Sequence, residues 1–461
     1  METFWIYGDN DKVIVRKQLV VKFLESRGFR NIQVNKEWLI ACIVDNRVRL
    51  IENPIELRRY LIEHIHSLEE VKKKDYVLEK TIDLFREIKR QGLIDALKTE
   101  ELNLQLGNEH VSYKFFRNGA LKITSSGYYL ERYEDLDGQV LESEIIDFDF
   151  KEVKQTDDIR KSDFSTFAYR CMNMNNENYF SLRSLLGFLS SSFKSIKDNK
   201  SVIFCDENLS EIAEGGTGKS LTAKALSYFN NTVVEDGKNF KQSNFTFQQI
   251  EPGVRLLAID DTGKQFNFES LFSSITGEFQ IEKKYQAKFS LPFKDSPRIL
   301  ITTNYTIFGR GFSFERRIVE IEFSDYYGRN RKPADEFGKD FFDEWDEHEW
   351  NLFYNFMAGC VSSYIRDGIL EPKISDRETK KLIKETNYEF VEFVSDYDFK
   401  DWKIKSELFE EYLSEYPTYR KWLKLRTFNG WLKKHFEESG INYKELKQNG
   451  GNRSWFFLDR E

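Results

Sequence analysis

Ser201-Val-Ile-Phe-Cys205, then a polar connection, then Gly215-Gly-Thr-Gly-Lys-Ser220 and the run Leu221–Phe229 form the stretch that decides the fold. The first five residues read as a short buried strand, and Leu221–Phe229 carries apolar residues at helical spacing. A glycine-rich turn between strand and helix lets backbone N–H groups turn inward around an anion. The helix that follows adds the positive end of its dipole. In such a loop Gly215, Gly216, Thr217 and Gly218 form the cradle, and Leu221 follows on the first helical turn. Lys219 reaches the outer phosphates of ATP, and the Ser220 hydroxyl holds Mg²⁺. The pattern departs from the strict Walker A form, because Ala213 stands where its first glycine belongs and the connection from Asp206 is long. A chance glycine turn ahead of a helix is the bland alternative, and the strand in front of it argues against that reading.

Three further segments follow in order. Arg255-Leu-Leu-Ala-Ile-Asp260-Asp261 is an apolar strand that ends in two carboxylates. A strand of that kind delivers acids to the sheet's carboxyl edge, where they hold a metal shell and orient water. Asp260 is assigned to Mg²⁺ through water and Asp261 to the catalytic base, and on sequence alone the two roles can be exchanged. Pro297-Arg-Ile-Leu-Ile-Thr-Thr-Asn304 ends in one amide, placed to contact a γ-phosphate and position the attacking water. Phe314-Glu-Arg316-Arg317-Ile-Val-Glu-Ile-Glu-Phe323 brings two arginines to the start of a strand. Arg317, with Arg316 as companion or substitute, suits a finger inserted into a neighbouring subunit's site. A surface ion pair with Glu315 or Glu322 is the plain alternative.

The order GGTGKS, LLAIDD, ILITTN, ERRIVEIEF resembles the superfamily 3 helicases of the AAA+ class, found in small DNA viruses, phages, satellites and mobile elements. The likeness covers about 180–370 and is nearest to the helicase half of phage and poxvirus-type primase-helicases. It implies an α/β motor domain of the AAA+ P-loop NTPase type, with a mostly parallel sheet. It also implies a ring, expected as a homo-hexamer, that hydrolyses ATP with Mg²⁺, tracks single-stranded DNA and unwinds duplex DNA. A primase or another replication protein is the partner such a motor would have. In that family a DNA-gripping hairpin lies between the acidic and the asparagine strands. The resemblance places Lys283, Lys284 and Lys288 there, around Tyr285, although a solvated lysine-rich loop has the same composition.

The flanks carry less information. Residues 13–100 read mainly as helix, from apolar spacing in Val13–Phe29, Ile55–Leu68 and Val77–Leu97. Val111–Phe116, Ala120–Thr124, Tyr128–Tyr133 and Val140–Phe150 read as a meander punctuated by Asn118-Gly119, Ser126-Gly127 and Asp137-Gly138. The charged run Lys373–Lys384 reads as a hinge. The end of the chain reads as helix, helix and hairpin, the pattern of a winged helix, with Arg426, Lys433, Lys434, His435 and Arg453 as basic residues. That module touches DNA or simply packs. The expected divisions are a helical N-terminal region at 1–110, a meander at 111–165, and the motor at 166–325. A helical lid at 326–385 and the winged helix at 386–461 complete them.

Charged residues at 32% and the lack of a long apolar run argue against a membrane protein. Met1–Tyr7 has no signal-peptide pattern, and the four cysteines form no CxxC pair, so a reduced cytoplasmic setting is expected, in a bacterium or a host cell. Two motifs are set aside. His64-Ile-His66 matches the pair of rolling-circle nickases but falls in a helical run. Asp147-Phe-Asp149 matches paired primase acids but has no following histidine at the right distance. The competing functional readings are a nucleotide-switched replication initiator or scaffold, and an ATPase turned to defence or protein remodelling.

Overall fold

Around the Ser201–Asp206 strand the chain builds a five-stranded sheet. Its order is Thr232–Asp236, Leu256–Thr262, Arg298–Thr303, Ser201–Asp206, Ile318–Phe323. Each pairing is parallel, for example Val202 opposite Leu300 on one side and Val319 on the other. Parallel strands are covered on both faces, which is why these segments are near-continuous apolar runs. Side chains alternate between the faces. Val202, Phe204, Leu256, Ala258 and Leu300 meet the helices Lys219–Phe229, Asn176–Ser190 and Glu347–Asp367. Ile203, Leu257, Ile259, Ile299 and Ile301 pack on Phe268, Leu271, Ile275 and Phe314. The alternation of strand and helix expected for this region is thus an α/β sheet.

The computed structural model describes residues 3–34, 37–51, 53–87, 92, 95–153, 156–207, 215–240, 246–263, 266–282, 289–305, 312–374, 377–397, 403–440, 443–447 and 454–458. Ala213, Lys283, Lys284, Tyr285, Lys288 and Arg453 lie outside the described residues. Among the described residues no helix is long and apolar enough to cross a membrane.

The meander is present as Val111–Phe116, Gly119–Thr124 and Gly127–Glu131, joined antiparallel through the two turns read from the sequence. It shares its core with the central sheet through Phe116, Leu121 and Ile123. Hydrogen bonds from Tyr128 Oη to Asn355 Oδ1 (3.0 Å) and from Ser362 Oγ to the Thr124 carbonyl (2.7 Å) tie it to the Glu347–Asp367 helix. Val140–Phe150 differs from the expected long strand. It gives two short pieces, Val140–Leu141 paired with Arg47–Ile51 and Ile145–Ile146 paired with Val111–Phe116. This segment stitches two sheets together instead of closing a hairpin at Asp137-Gly138.

The N-terminal region corrects the helical reading. Arg47–Ile51, Glu37–Val44, Phe29–Val34 and Thr99–Glu100 join Val140–Leu141 in a second five-stranded sheet. The helices beside it are Lys17–Ser26, Pro54–Ser67 and Lys74–Glu87. Val13–Val15 is a strand, so the helix expected from Val13 begins only at Lys17. Asn53 caps the second helix, accepting from the Ile55 N–H at 2.9 Å while Glu56 accepts from the Asn53 N–H at 3.2 Å.

At the C-terminal end, the charged run read as a hinge is in fact the helix Arg377–Glu385. Helices Tyr388–Asp396, Lys405–Glu415 and Leu425–Glu438 follow. Strands Lys403–Ile404, Ser454–Leu458 and Tyr443–Lys447 form a small sheet in that spatial order. Phe390, Leu408, Tyr412, Phe428 and Leu432 make the core of this unit.

Candidate active site

The carboxyl edge of the parallel sheet gathers most of the residues singled out in the sequence. Gly215, Gly216 and Gly218 have φ of 59°, 83° and 102°, the left-handed region where a side chain is strained. At Gly218 space forbids a side chain as well, since a Cβ would lie 2.7 Å from Cys171 Sγ and 2.8 Å from Phe167 Cζ. The Lys219–Phe229 helix starts directly behind this glycine. Its first N–H groups therefore face the loop, and a small anion fits that end.

Lys219 is 6% exposed and forms an ion pair with Asp206, the last residue of the Ser201–Asp206 strand. Thr217 Oγ1 donates to the same carboxylate oxygen at 2.7 Å and accepts from Lys219 Nζ at 3.0 Å. Ser220 Oγ donates to Asp260 Oδ1 at 3.0 Å, and Thr302 Oγ1 donates to that oxygen at 2.5 Å. A hydroxyl and a carboxylate at this spacing are the hard oxygen donors that suit Mg²⁺.

Asp261 sits on a bulge. The pairing with the Arg298–Thr303 strand shifts between Ile259 and Thr262, and Asp261 has φ of 58°. A bulge re-aims one side chain out of the ladder. A left-handed aspartate costs roughly 1 kcal/mol, held here by the hydrogen bond from the Asp261 N–H to Thr302 Oγ1 at 2.8 Å. The Asp261 carboxylate accepts from Asn304 Nδ2 at 3.2 Å and pairs with Lys238 Nζ at 2.6 Å. That carboxylate holds the Lys238 ammonium above the usual lysine pKa. Asp261 and Asn304 are thus brought together as the sequence implied.

The two arginines part company. Arg316 is exposed. Arg317 is buried, with its guanidinium 4.6 Å from the Phe272 ring centre and donating to the Ser313 carbonyl and Oγ, both at 2.6 Å. Among the described residues neither arginine pairs with Glu315 or Glu322, and Glu322 pairs instead with Lys380. Of the two, Arg316 is the exposed one, while Arg317 is held within its own chain. Beside the loop, Gly215, Gly216 and Leu221 face Gly328, Arg329, Lys332 and Phe341 across a cleft of about 680 Å³. Phe279–Ile281 and Phe289–Leu291 pair antiparallel on either side of the segment that contains Lys283, Lys284 and Lys288.

Asp206, Lys238, Thr302, Arg329 and Lys332 were not anticipated. Two of them left a signal: Asp206 ends its strand as Asp260 does, and Thr302 is two residues before Asn304, hence on the same face. The motifs set aside have plain structural roles. Arg117 grips Asp149 at 2.9 Å and Asp147 at 3.1 Å, and the His64 ring packs 4.7 Å from that of Phe23. In the C-terminal unit Lys434 pairs with Glu385, while Arg426 is exposed.

No protein-family model matches the chain, and no curated protein does. Among solved structures it is similar to the A form apo structure of the NrS-1 C-terminal region. That match has 13% identity over 96% of this chain and 100% of that one, with a TM-score of 0.45. A second apo structure of the same region matches at 13% identity over 96% and 99%, with a TM-score of 0.42.

Proposed function

We propose that the chain is an ATP-hydrolysing motor of the superfamily 3 helicase type that acts on DNA during replication of a phage or mobile element. One observation carries this reading: Lys219, Ser220, Asp260, Asp261 and Asn304 converge at one edge of a parallel sheet, behind a left-handed glycine loop.

In this reading the N–H groups of Gly216–Ser220 hold the phosphates, and Lys219 turns from Asp206 toward them. Ser220 and Asp260 hold Mg²⁺, which when bound neutralises charge on the transferred phosphoryl group. Asp261 takes the proton of the attacking water, and Asn304 fixes where that water stands. Lys238 must release Asp261 before it can act as a base. Leu221, Arg329 and Phe341 lie along the cleft that leads away from the loop, where the rest of the nucleotide lies. Arg316 reaches the site of the next subunit in a ring, a hexamer by the family resemblance, and Arg317 holds the segment beneath it. Lys283, Lys284 and Lys288 contact the single strand, and the C-terminal unit is a winged helix that meets duplex DNA or a partner protein.

The ion pair between Lys238 and Asp261 also favours a second reading, a nucleotide-switched initiator that binds ATP and hydrolyses it slowly. Strand displacement on a forked duplex separates the two. The motor releases the strand with MgATP and fails with Lys219→Ala; an initiator releases none in either case.

A further inference from the structure

The chain has a net charge of −8, yet residues 416–436 hold six lysines and arginines and no aspartate or glutamate. Four of the six, Arg420, Lys421, Lys424 and Arg426, fall within seven residues. They span the end of the 3₁₀ turn Pro417–Lys421 and the start of the helix Leu425–Glu438. All four are exposed. Arg420 lies 3.1 Å from Glu410, and among the described residues Lys421, Lys424 and Arg426 form no ion pair. Farther along the same helix Lys434 is tied to Glu385.

Folding alone gives this cluster no reason. The first turn of a helix carries the positive end of its dipole, where acids stabilise and cations do not. Here Lys424 stands at the cap, its side chain caps nothing, and the first turn holds no acid. An anion drawn to the turn relieves that repulsion. The turn is also firmly built. Leu423 is buried in the C-terminal core, and the N–H groups of Trp422 and Leu423 donate to the Tyr419 carbonyl at 3.2 and 2.9 Å. With Leu423 inward, Trp422 is left 60% exposed, its ring centre 5.0 Å from that of Tyr419. An exposed ring set between cations suits a base that stacks while its phosphates meet the charges. A lipid surface calls for a wider apolar face than one ring.

We propose that residues 417–426 form a nucleic-acid contact, with Lys421, Lys424 and Arg426 on the phosphates of a DNA strand and Trp422 on a base. The strand is either unpaired or part of a duplex. The choice of DNA rests on the function proposed above; the charge and shape of the turn do not. The end of the helix that meets the strand is its first turn.

Binding is measured on the full chain without nucleotide, at low salt, by fluorescence anisotropy of a labelled oligothymidylate and of a labelled duplex. Lys421→Glu combined with Arg426→Glu is expected to weaken at least one probe by about tenfold or more and to flatten its salt dependence. The melting temperature holds or rises, because an acid suits the first helical turn. Trp422→Ala weakens the same probe by about fivefold or more. Loss on the oligothymidylate identifies an unpaired strand, loss on the duplex a paired one, and loss on both a contact that either form supplies. If either variant binds both probes as tightly as the parent, the proposal is overturned. It is also overturned if the parent binds neither probe, or if the variants lose only vesicles of phosphatidylcholine and phosphatidylserine. ATP hydrolysis that survives Lys219→Ala removes the motor and leaves this contact standing, since binding is read without nucleotide.

Discussion

Asp261 combines three features at one position: a bulge, a left-handed backbone and a carboxylate shared by Asn304 and Lys238. Asp261→Asn is expected to lower the ATPase rate by about a hundredfold or more and to leave ATP affinity within a few-fold, because a base acts in the transition state. Lys238→Met removes a partly exposed ion pair, so basal turnover is expected to rise by no more than about fivefold. Steady-state kinetics and nucleotide titration check both. Buried lysines give a pH signature. Lys114, bound to Asn230 at 2.6 Å, and Lys194 both have folded pKa values brought down to about 7, far below the unfolded lysine value. Between pH 7 and the unfolded value the unfolded chain binds more protons than the folded one, so stability rises with pH there. The slope is up to about 1.4 kcal/mol per pH unit for each lysine. Lys114→Met is expected to flatten that slope in denaturant melts compared between neutral and mildly alkaline pH.

At the scale of elements, the helices Asn176–Ser190 and Glu347–Asp367 cross at Gly187, where a Cβ would lie 2.1 Å from the Cys360 carbonyl oxygen. Gly187→Ala is expected to destabilise the central unit by about 1–3 kcal/mol, read as a lowered melting temperature. The parallel strands were legible because burial on both faces writes itself as unbroken apolar runs bounded by Gly215–Ser220, Asp260 and Asn304. The N-terminal strands were not. Their hairpin turns at Asp45-Asn46, with φ of 50° and 60°, a left-handed pair without the glycine that usually marks it. The Lys219–Asp206 and Lys238–Asp261 pairs were hidden for another reason, since they join residues distant in sequence. The separate fates of Arg316 and Arg317 depend on Phe272 and Ser313, which no local pattern ties to them.

At the scale of the whole molecule, the account requires the site to be completed by a neighbouring copy through Arg316. Arg316→Ala and Lys219→Ala should each be nearly inactive alone. Mixed in equal amounts, they are expected to recover part of the wild-type turnover, because a ring of both contains sites with an intact lysine and an intact arginine. Arg317→Ala should instead lower the melting temperature, because it removes the contacts with Phe272 and Ser313. The most direct single measurement is the steady-state ATPase rate of the wild-type chain with and without single-stranded DNA, with Lys219→Ala alongside. The account expects hydrolysis that rises when DNA is added and disappears in the variant. Hydrolysis that ignores DNA, or that survives Lys219→Ala, would contradict it.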